Sequence, residues 1–576
     1  MKRYEVEAAH VLSGIFADAI HMWPDCEDSL TKDFARLLRR VETQGVRKII
    51  SDLSDLDKHL VWCLRSSQFD SATYPRSFRL KGGKPVFLRT FYQKIFDEGD
   101  YVSVFNPSVV WSIKVLRTIL GLFKKCELPQ TEWDESRLYA EFVQRDLTNP
   151  PVDNDWYQGD NLFLDDHSGL SGRIPRFGAF RLLCRRIIHQ FEPFPDWDIT
   201  PNHGPGTTAE GRGHHKFLFP SWSRQLNGEF PYDWYSGDFL CENIDNVSEP
   251  DYGISKLLFV PKDYRGPRII CAEPTANQFM QQGIRRFLER QVQRSLLSRS
   301  IDFKSQTPSQ RAVLDGPQWL HPYSPWGRAT IDLKNASDNL SLALVRLIFP
   351  ELLLRKMRAC RSEAVSFKDH PEHKLRMFST MGSALTFPVM TIVLTLLSVH
   401  AMRVHEGTTG DLSSERLQGD FDRVRVFGDD IIVPNDAYAT TVAVLQAAGL
   451  TVNAEKSFSD SHFLESCGCD AYRGCDITPL RVRIVSDVCT PALATSTNDL
   501  IGRCLEAGFF NLAYTLDAMI TKHAAKRFDF HGGTGSYPRI EMLPRKIRGK
   551  IRYNANLHRL ERLENLVVAK SKYGVG

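Results

Sequence analysis

No sign of charge dominates this chain: 73 Lys and Arg stand against 69 Asp and Glu over 576 residues, leaving +4. That near-balance excludes a wholly basic scaffold or a wholly acidic, self-repelling chain, so any surface for an anionic partner must be a local collection of cations. Cysteine is sparse and scattered, 12 residues without the dense spacing of a secreted disulfide scaffold, which fits reduced thiols. His462, Cys467, Cys469 and Cys475 have ligand types suited to zinc but lack paired Cys-x-x-Cys knuckles, and are read as packing residues. Internal repeats and long low-complexity segments are also missing, which excludes a solenoid. Export is not expected, because Glu5 and Glu7 interrupt the apolar core that a leader would need. Long apolar runs are nearly absent too. The exception, Ala384 to Met402, spans 19 residues without a formal charge. It contains Pro388, several Ser and Thr and His400, and lacks basic anchors on both sides, so it is expected to be a buried helix under a sheet rather than a membrane span.

What is present is a pair of adjacent acids. Asp429 and Asp430 follow Phe427-Gly428 and lie between two apolar, β-rich runs, Val424 to Phe427 and Ile431 to Val433. This pattern predicts a hairpin with the acids at its tip, the Gly-Asp pair supplying the positive φ values of a tight turn. Side-by-side carboxylates repel each other unless a divalent cation lies between them. A third acid, Asp332, ends a short apolar run Ala329 to Leu333 read as a buried strand. Together Asp332, Asp429 and Asp430 make a candidate metal site for two Mg²⁺ ions, one activating an attacking oxygen and one steadying a leaving pyrophosphate. Ser337 is expected to cap the following helix, which places Asp338 in its first turn, where it can touch an incoming ribose or simply complement the helix dipole.

At 576 residues two to four subdomains are expected. Amphipathic helices are read at Leu30 to Val41 and Val109 to Phe123, but no catalytic motif occurs in the first 200 residues or so. Asn202 to Thr208, containing Gly-Pro-Gly, is a turn whose amides can also face a phosphate. The run Lys256 to Arg268 reads as a hairpin carrying Lys256, Lys262, Arg265 and Arg268, a positive lining of the kind a triphosphate needs. Between the acidic elements lies Ser379-Thr-Met-Gly-Ser-Ala-Leu-Thr386, where Gly382 permits close backbone approach and the hydroxyls can bond a sugar or phosphate. Downstream, a helix end, the Gly449 break and a short strand deliver Lys456. Arg481 and Arg483 alternate on one face of a presumed strand, a placement suited to a nucleic-acid backbone. Arg545 to Arg552, with Arg559, Arg562, Lys570 and Lys572, forms a basic surface suited to an RNA backbone.

The order of these blocks resembles motifs F, A, B, C, D and E of RNA-dependent RNA polymerases. The wording of Ala336-Ser-Asp338 before Leu340-Ser341, Met381-Gly382 before Thr386-Phe387, Gly428-Asp-Asp-Ile-Ile432 and Glu465-Ser-Cys-Gly468 resembles the replicase catalytic (beta) subunit of the leviviruses, small positive-strand RNA bacteriophages. The resemblance is strong over about residues 250 to 485. It implies an α+β right-hand polymerase whose antiparallel palm sheet is backed by helices: 1–240 N-terminal and fingers region, 241–325 fingers with the basic hairpin, 326–480 palm, 481–576 thumb and basic C-terminal region. It implies RNA synthesis from nucleoside triphosphates, with Mg²⁺ on Asp332, Asp429 and Asp430 and Mn²⁺ as a substitute. Lys256, Lys262, Arg265 and Arg268 would face nucleotide and template, Asp338, Ser379, Gly382 and Ser383 would surround the ribose, and Lys456 would donate a proton to pyrophosphate. Host translation elongation factors Tu and Ts, and a ribosomal RNA-binding protein, are the implied partners, in the cytoplasm of an infected bacterium. This chain departs from the family's pattern in having Phe427 where tyrosine is usual, Ser383 where asparagine is frequent, and Glu455 before Lys456. Two rival classes remain: a reverse transcriptase, and a non-enzymatic RNA-binding or packaging protein whose acids are structural.

Overall fold

The computed structural model describes residues 3–103, 106–127, 133–151, 177–191, 199–204, 206–211, 218–237, 244–315, 327–483, 491–524, 551–554 and 559–562. The protein has mixed helices and sheets, an α+β chain, and divides into two compact units. One comprises residues 1–132, 261–266 and 475–576, the other 133–260 and 267–474, so the units cut across a linear division of the sequence.

The first unit is helical. Helix α1 (Arg3–Met22) packs against the helix Phe510–Ala524. The two cross closely at Gly14, where a Cβ would lie 2.7 Å from Thr515 Oγ1. Asp18 accepts from the Asn511 and Leu512 amides at 2.7 and 2.9 Å, satisfying donors that a helix start leaves free. Both expected amphipathic helices are present, as Glu27–Gln44 and within α3 (Pro107–Gly121), the latter capped by Asn106. Between them runs α2 (Val46–Ser66), whose Asp57 is buried against Arg117 and Lys124, both at 3.1 Å. The Arg117, Lys124 and Arg481 charges outweigh the loss of water around Asp57 and hold its carboxyl at about 2.

Residues 477–483 form no strand, so the presumed alternation of Arg481 and Arg483 does not arise. Arg481 bears on the buried Asp57 instead, and the Arg483 carbonyl accepts from Glu127. Of the basic C-terminal stretch, Ile551–Asn554 and Arg559–Arg562 pair as an antiparallel ribbon. Residues 545–550, Lys570 and Lys572 lie outside the described residues.

The second unit holds most of the larger sheets, apart from residues 261–266, which belong to the first. Strands β1 (Gly253–Asp263) and β2 (Gly266–Ala272) form the expected hairpin, extended through β5 (Ser362–Ser366) and β6 (His373–Lys374) in the order β2-β1-β5-β6. The β1–β5 pair is parallel, a long-range pairing that no local pattern announces. A second, antiparallel sheet consists of β3 (Arg328–Ile331), β8 (Asp430–Pro434) and β7 (Arg425–Phe427), in the order β3-β8-β7. Alternation along these strands sends Ala329, Ile331, Val426, Ile431 and Val433 into the main hydrophobic core. The same core takes much of α7 (Thr386–Glu406), which passes below β7 and β8. The uncharged run is therefore a buried helix under a sheet, as expected. It ends at Gly407, whose φ of 70° suits a left-handed cap.

Candidate active site

The acidic hairpin has the two-residue turn read from the sequence, with Phe427 opposite Asp430. Only Gly428 takes a positive φ, 64°, whereas Asp429 does not; that is the pattern of a type II′ turn with glycine first. The turn is braced from below, where the Gly428 amide donates to Thr391 Oγ1 at 3.2 Å and Phe387 stacks edge-on to Phe427.

Register brings the third acid alongside. Ile331 is opposite Ile431 at the end of the paired register of β3 and β8; Asp332 follows the one and Asp430 precedes the other, so the two acids flank the last pair on neighbouring strands. Alternation from these core-facing isoleucines turns Asp332 and Asp430 to the side of the sheet away from the helical core. The acids act on one another electrostatically. Burial, then the Asp429 and Asp332 charges, push the Asp430 carboxyl up to about 6. Asp429 stands exposed at the turn, yet the protein behind it strips enough water, with Asp332 adding to the effect, to raise its carboxyl too; Lys456 and Arg268 oppose the rise.

Asp332 is held by residues the sequence reading did not single out. Beyond it, β4 (Leu333–Lys334) pairs with β9 (Thr451–Val452), which follows α8 (Tyr438–Ala447) and the Gly449 break. The next residue, Asn453, donates its amide to the Asp332 carbonyl at 2.8 Å and its side chain to Asp332 Oδ2 at 2.7 Å. The Asp332 amide donates to Ser457 Oγ at 3.2 Å. Lys456 places Nζ 3.7 Å from Asp332 Oδ2. Loss of water disfavours the Lys456 charge, but Glu465, Asp332, Asp430 and Asp429 together outweigh it and raise its pKa, although the side chain is 56% exposed. An asparagine in a turn reads as turn chemistry, so nothing local marked Asn453.

The remaining assignments divide. The helix after the first acid is α6 (Leu342–Ile348), capped by Ser341 rather than Ser337, because Ser341 Oγ accepts from the Leu344 amide at 3.1 Å. Asp338 therefore sits in the preceding turn, not in a helix, and is ion-paired to Arg145 at 2.6 Å. Ser379 is buried and bonded to Thr386 Oγ1 at 2.8 Å, so its hydroxyl faces the interior. Ser383 is half-buried, its Oγ accepting from Leu385. Gly382 is required where it stands. Its φ is 139°, and a Cβ would come 2.0 Å from the Cys271 carbonyl oxygen, because Met381 O accepts from the Cys271 amide at 2.8 Å. Buried Glu273 supports this loop through α5 (Thr275–Arg294): Gln281 donates to Glu273 and accepts from the Ala384 amide. Of the basic hairpin, all four side chains are exposed; Lys256 and Arg268 belong to the second unit. Lys262 and Arg265 belong to the first, where Arg265 pairs with Asp263.

Carboxylate oxygens are the hard donors Mg²⁺ takes, and the unrelieved repulsion at Asp430 is what a cation would relieve, so the donor set fits by chemistry. In position it is not closed: among the described residues no group of three or more His, Cys, Asp and Glu stands ready to hold a metal. That applies equally to His462, Cys467, Cys469 and Cys475, of which Cys467 and Cys469 are buried.

Residues 244–502, which include all four charged groups of this cluster, match the family model RNA replicase, beta-chain. Over 287 residues the chain is 31% identical to the RNA-directed RNA polymerase subunit beta of Qbeta virus (strain MX1), covering 49% of this chain and 45% of that one. Similar figures hold for the same subunit of Enterobacteria phage SP, 31% over 307 residues with 52% and 48% covered. The RNA-directed RNA polymerase beta chain of Escherichia phage MS2 is 31% identical over 224 residues, 39% and 37% of the two chains. The chain thus spans about half the length of the curated relatives it matches. The solved RNA-dependent RNA polymerase of a human picorbirnavirus aligns over 48% of this chain and 59% of its own, with 12% identity and a TM-score of 0.34.

Proposed function

We propose that the protein is an RNA-directed RNA polymerase, the catalytic beta subunit of a phage replicase, with the second unit carrying a palm and its fingers. The observation that carries this reading is the grouping of Asp332, Asp429, Asp430 and Lys456 at one end of the β3–β8–β7 sheet, where the three carboxylates act on one another and on the lysine. The resemblance of residues 244–502 to replicase beta chains supports it.

In this reading Asp332, Asp429 and Asp430 would hold the divalent cations, Mg²⁺ or Mn²⁺, which supply charge stabilisation to the attacking 3′ oxygen and the leaving pyrophosphate. Arg268 and Lys256 draw in the triphosphate, and Asp338 beside the Gly382 loop receives the ribose. Lys456 keeps its proton while the surrounding carboxylates are unneutralised, and is the donor to pyrophosphate once they are. Template pairing, not side-chain readout, chooses the base. Initiation without a primer, residence in the cytoplasm of an infected bacterium, and host partners belong to the same proposal. Those partners would be elongation factors Tu and Ts and a ribosomal RNA-binding protein, and the support for them is that the relatives are named as subunits.

The test is synthesis from a short RNA ending in cytidines, with Mg²⁺ and four ribonucleoside triphosphates, run with and without host extract. Template-length product from the wild type, and none from Asp429→Asn at unchanged RNA affinity, is expected. A reverse transcriptase would prefer deoxyribonucleotides, and an RNA-packaging protein would be indifferent to Asp429→Asn.

A further inference from the structure

We propose that Arg145 is the positioning residue through which Asp338 selects a ribose, so that a residue far outside the acidic motifs sets ribonucleotide choice; this rests on the polymerase reading above. Arg145 lies in the last turn of α4 (Glu135–Asp146) and donates from Nη1 to Asp338 Oδ2 at 2.6 Å. Ser337 Oγ donates to the other oxygen, Oδ1, at 3.0 Å, and Asn149 Nδ2 donates to the Asp338 carbonyl at 2.7 Å. The carboxylate is therefore fixed in rotation from both sides.

The arm that carries Arg145 is itself fixed. Asp146 is fully buried and accepts from the amides of Arg376 and Met377 at 2.9 and 2.7 Å, with His373 Nε2 at 2.7 Å. Arg376 Nη1 returns to the Leu147 and Asn149 carbonyls at 3.0 and 3.2 Å.

Asp338 is nonetheless reachable, with 14% of its side chain exposed, and a carboxylate offers about four acceptor positions, of which two are taken. A free lone pair held in a fixed direction is what hydrogen-bonds a 2′ hydroxyl and rejects a sugar lacking it. The site also has the right neighbour. Asp338 lies close enough to Cys271 for its charge to help keep that thiol protonated, and the Cys271 amide is the donor that holds the Gly382 loop.

The experiment measures kcat/KM for a ribonucleotide and its deoxy counterpart on one primed RNA template in wild type, Arg145→Ala, Arg145→Gln, Arg145→Lys, Asp338→Asn and the Arg145→Ala/Asp338→Asn double variant. The ribose-over-deoxyribose ratio is expected to fall roughly tenfold in Arg145→Ala, the scale of one charge-assisted hydrogen bond. The loss should lie mainly in the ribonucleotide KM, be restored in part by Arg145→Lys, and not deepen in the double variant relative to Asp338→Asn. If Arg145→Ala does not fold, Arg145→Gln takes its place. An unchanged ratio, or equal losses for both sugars as a triphosphate contact would give, overturns the proposal while leaving polymerase activity in place. Absence of synthesis in the wild type overturns the reading it rests on.

Discussion

Asn453 shows how much of the candidate site depends on a neutral side chain. Its Nδ2 holds the Asp332 carboxylate while its backbone amide holds the Asp332 carbonyl, so removing the side chain frees that carboxylate to turn toward Lys456 alone. Asn453→Ala is expected to lower RNA synthesis roughly 10- to 100-fold, the usual effect of losing a residue that orients a metal ligand, with little change in melting temperature. Asp430 makes a different prediction. Its carboxyl is raised to about 6, so between about 4 and 6 the folded protein holds a proton that the unfolded chain has released. Its contribution to the stability of the metal-free protein is therefore present at low pH and falls as pH rises through that window. Metal-free Asp430→Asn should melt above the wild type at pH 8, by on the order of 1–2 kcal/mol, with the difference gone near pH 4. Adding Mn²⁺ should stabilise the wild type and not the variant; a higher-melting wild type at pH 8 without metal would contradict the assignment.

Among elements, the loop at Gly382 is the least tolerant. A Cβ 2.0 Å from the Cys271 oxygen, on a backbone at φ 139°, must detach the loop from β2. Gly382→Ala is expected to destabilise the second unit by about 2–4 kcal/mol and to open residues 379–385 to proteolysis, which a melting curve and a cleavage map would show. The elements at the acids are legible in the sequence because their signals are local: a two-residue turn, alternating strands, an uncharged helix, a basic hairpin. What escaped was not local. The parallel β1–β5 pair and the Arg145–Asp338 contact, 193 residues apart in sequence, leave no periodicity to read. Ser337 and Ser341 offer the same cap chemistry four residues apart, and only packing of the helix start decides for Ser341. Ser379 looked like a ligand hydroxyl because small polar residues near glycine do; burial against Thr386 turned it inward.

For the whole molecule, the first unit joins the two ends of the chain, and its buried charges are where it is most vulnerable. Arg117→Ala would leave Asp57 buried beside Lys124 alone at close range, and is expected to cost about 3–5 kcal/mol in chemical denaturation. The contribution of Asp57, whose carboxyl is held at about 2, is fully present above its unfolded value near 4 and is lost progressively as pH falls from about 4 through about 2. The charge grouping at the candidate site was not legible from the total of +4, because Lys456 and the four acids that raise its pKa, Glu465, Asp332, Asp430 and Asp429, come together from separate parts of the sequence. The most direct test of the central claim is a Mn²⁺ titration of metal-free protein, followed by electron paramagnetic resonance, in wild type and in Asp332→Asn, Asp429→Asn and Asp430→Asn. The account predicts that each of the three substitutions weakens Mn²⁺ binding at least tenfold, Asp332→Asn included; wild-type affinity in Asp332→Asn would contradict it.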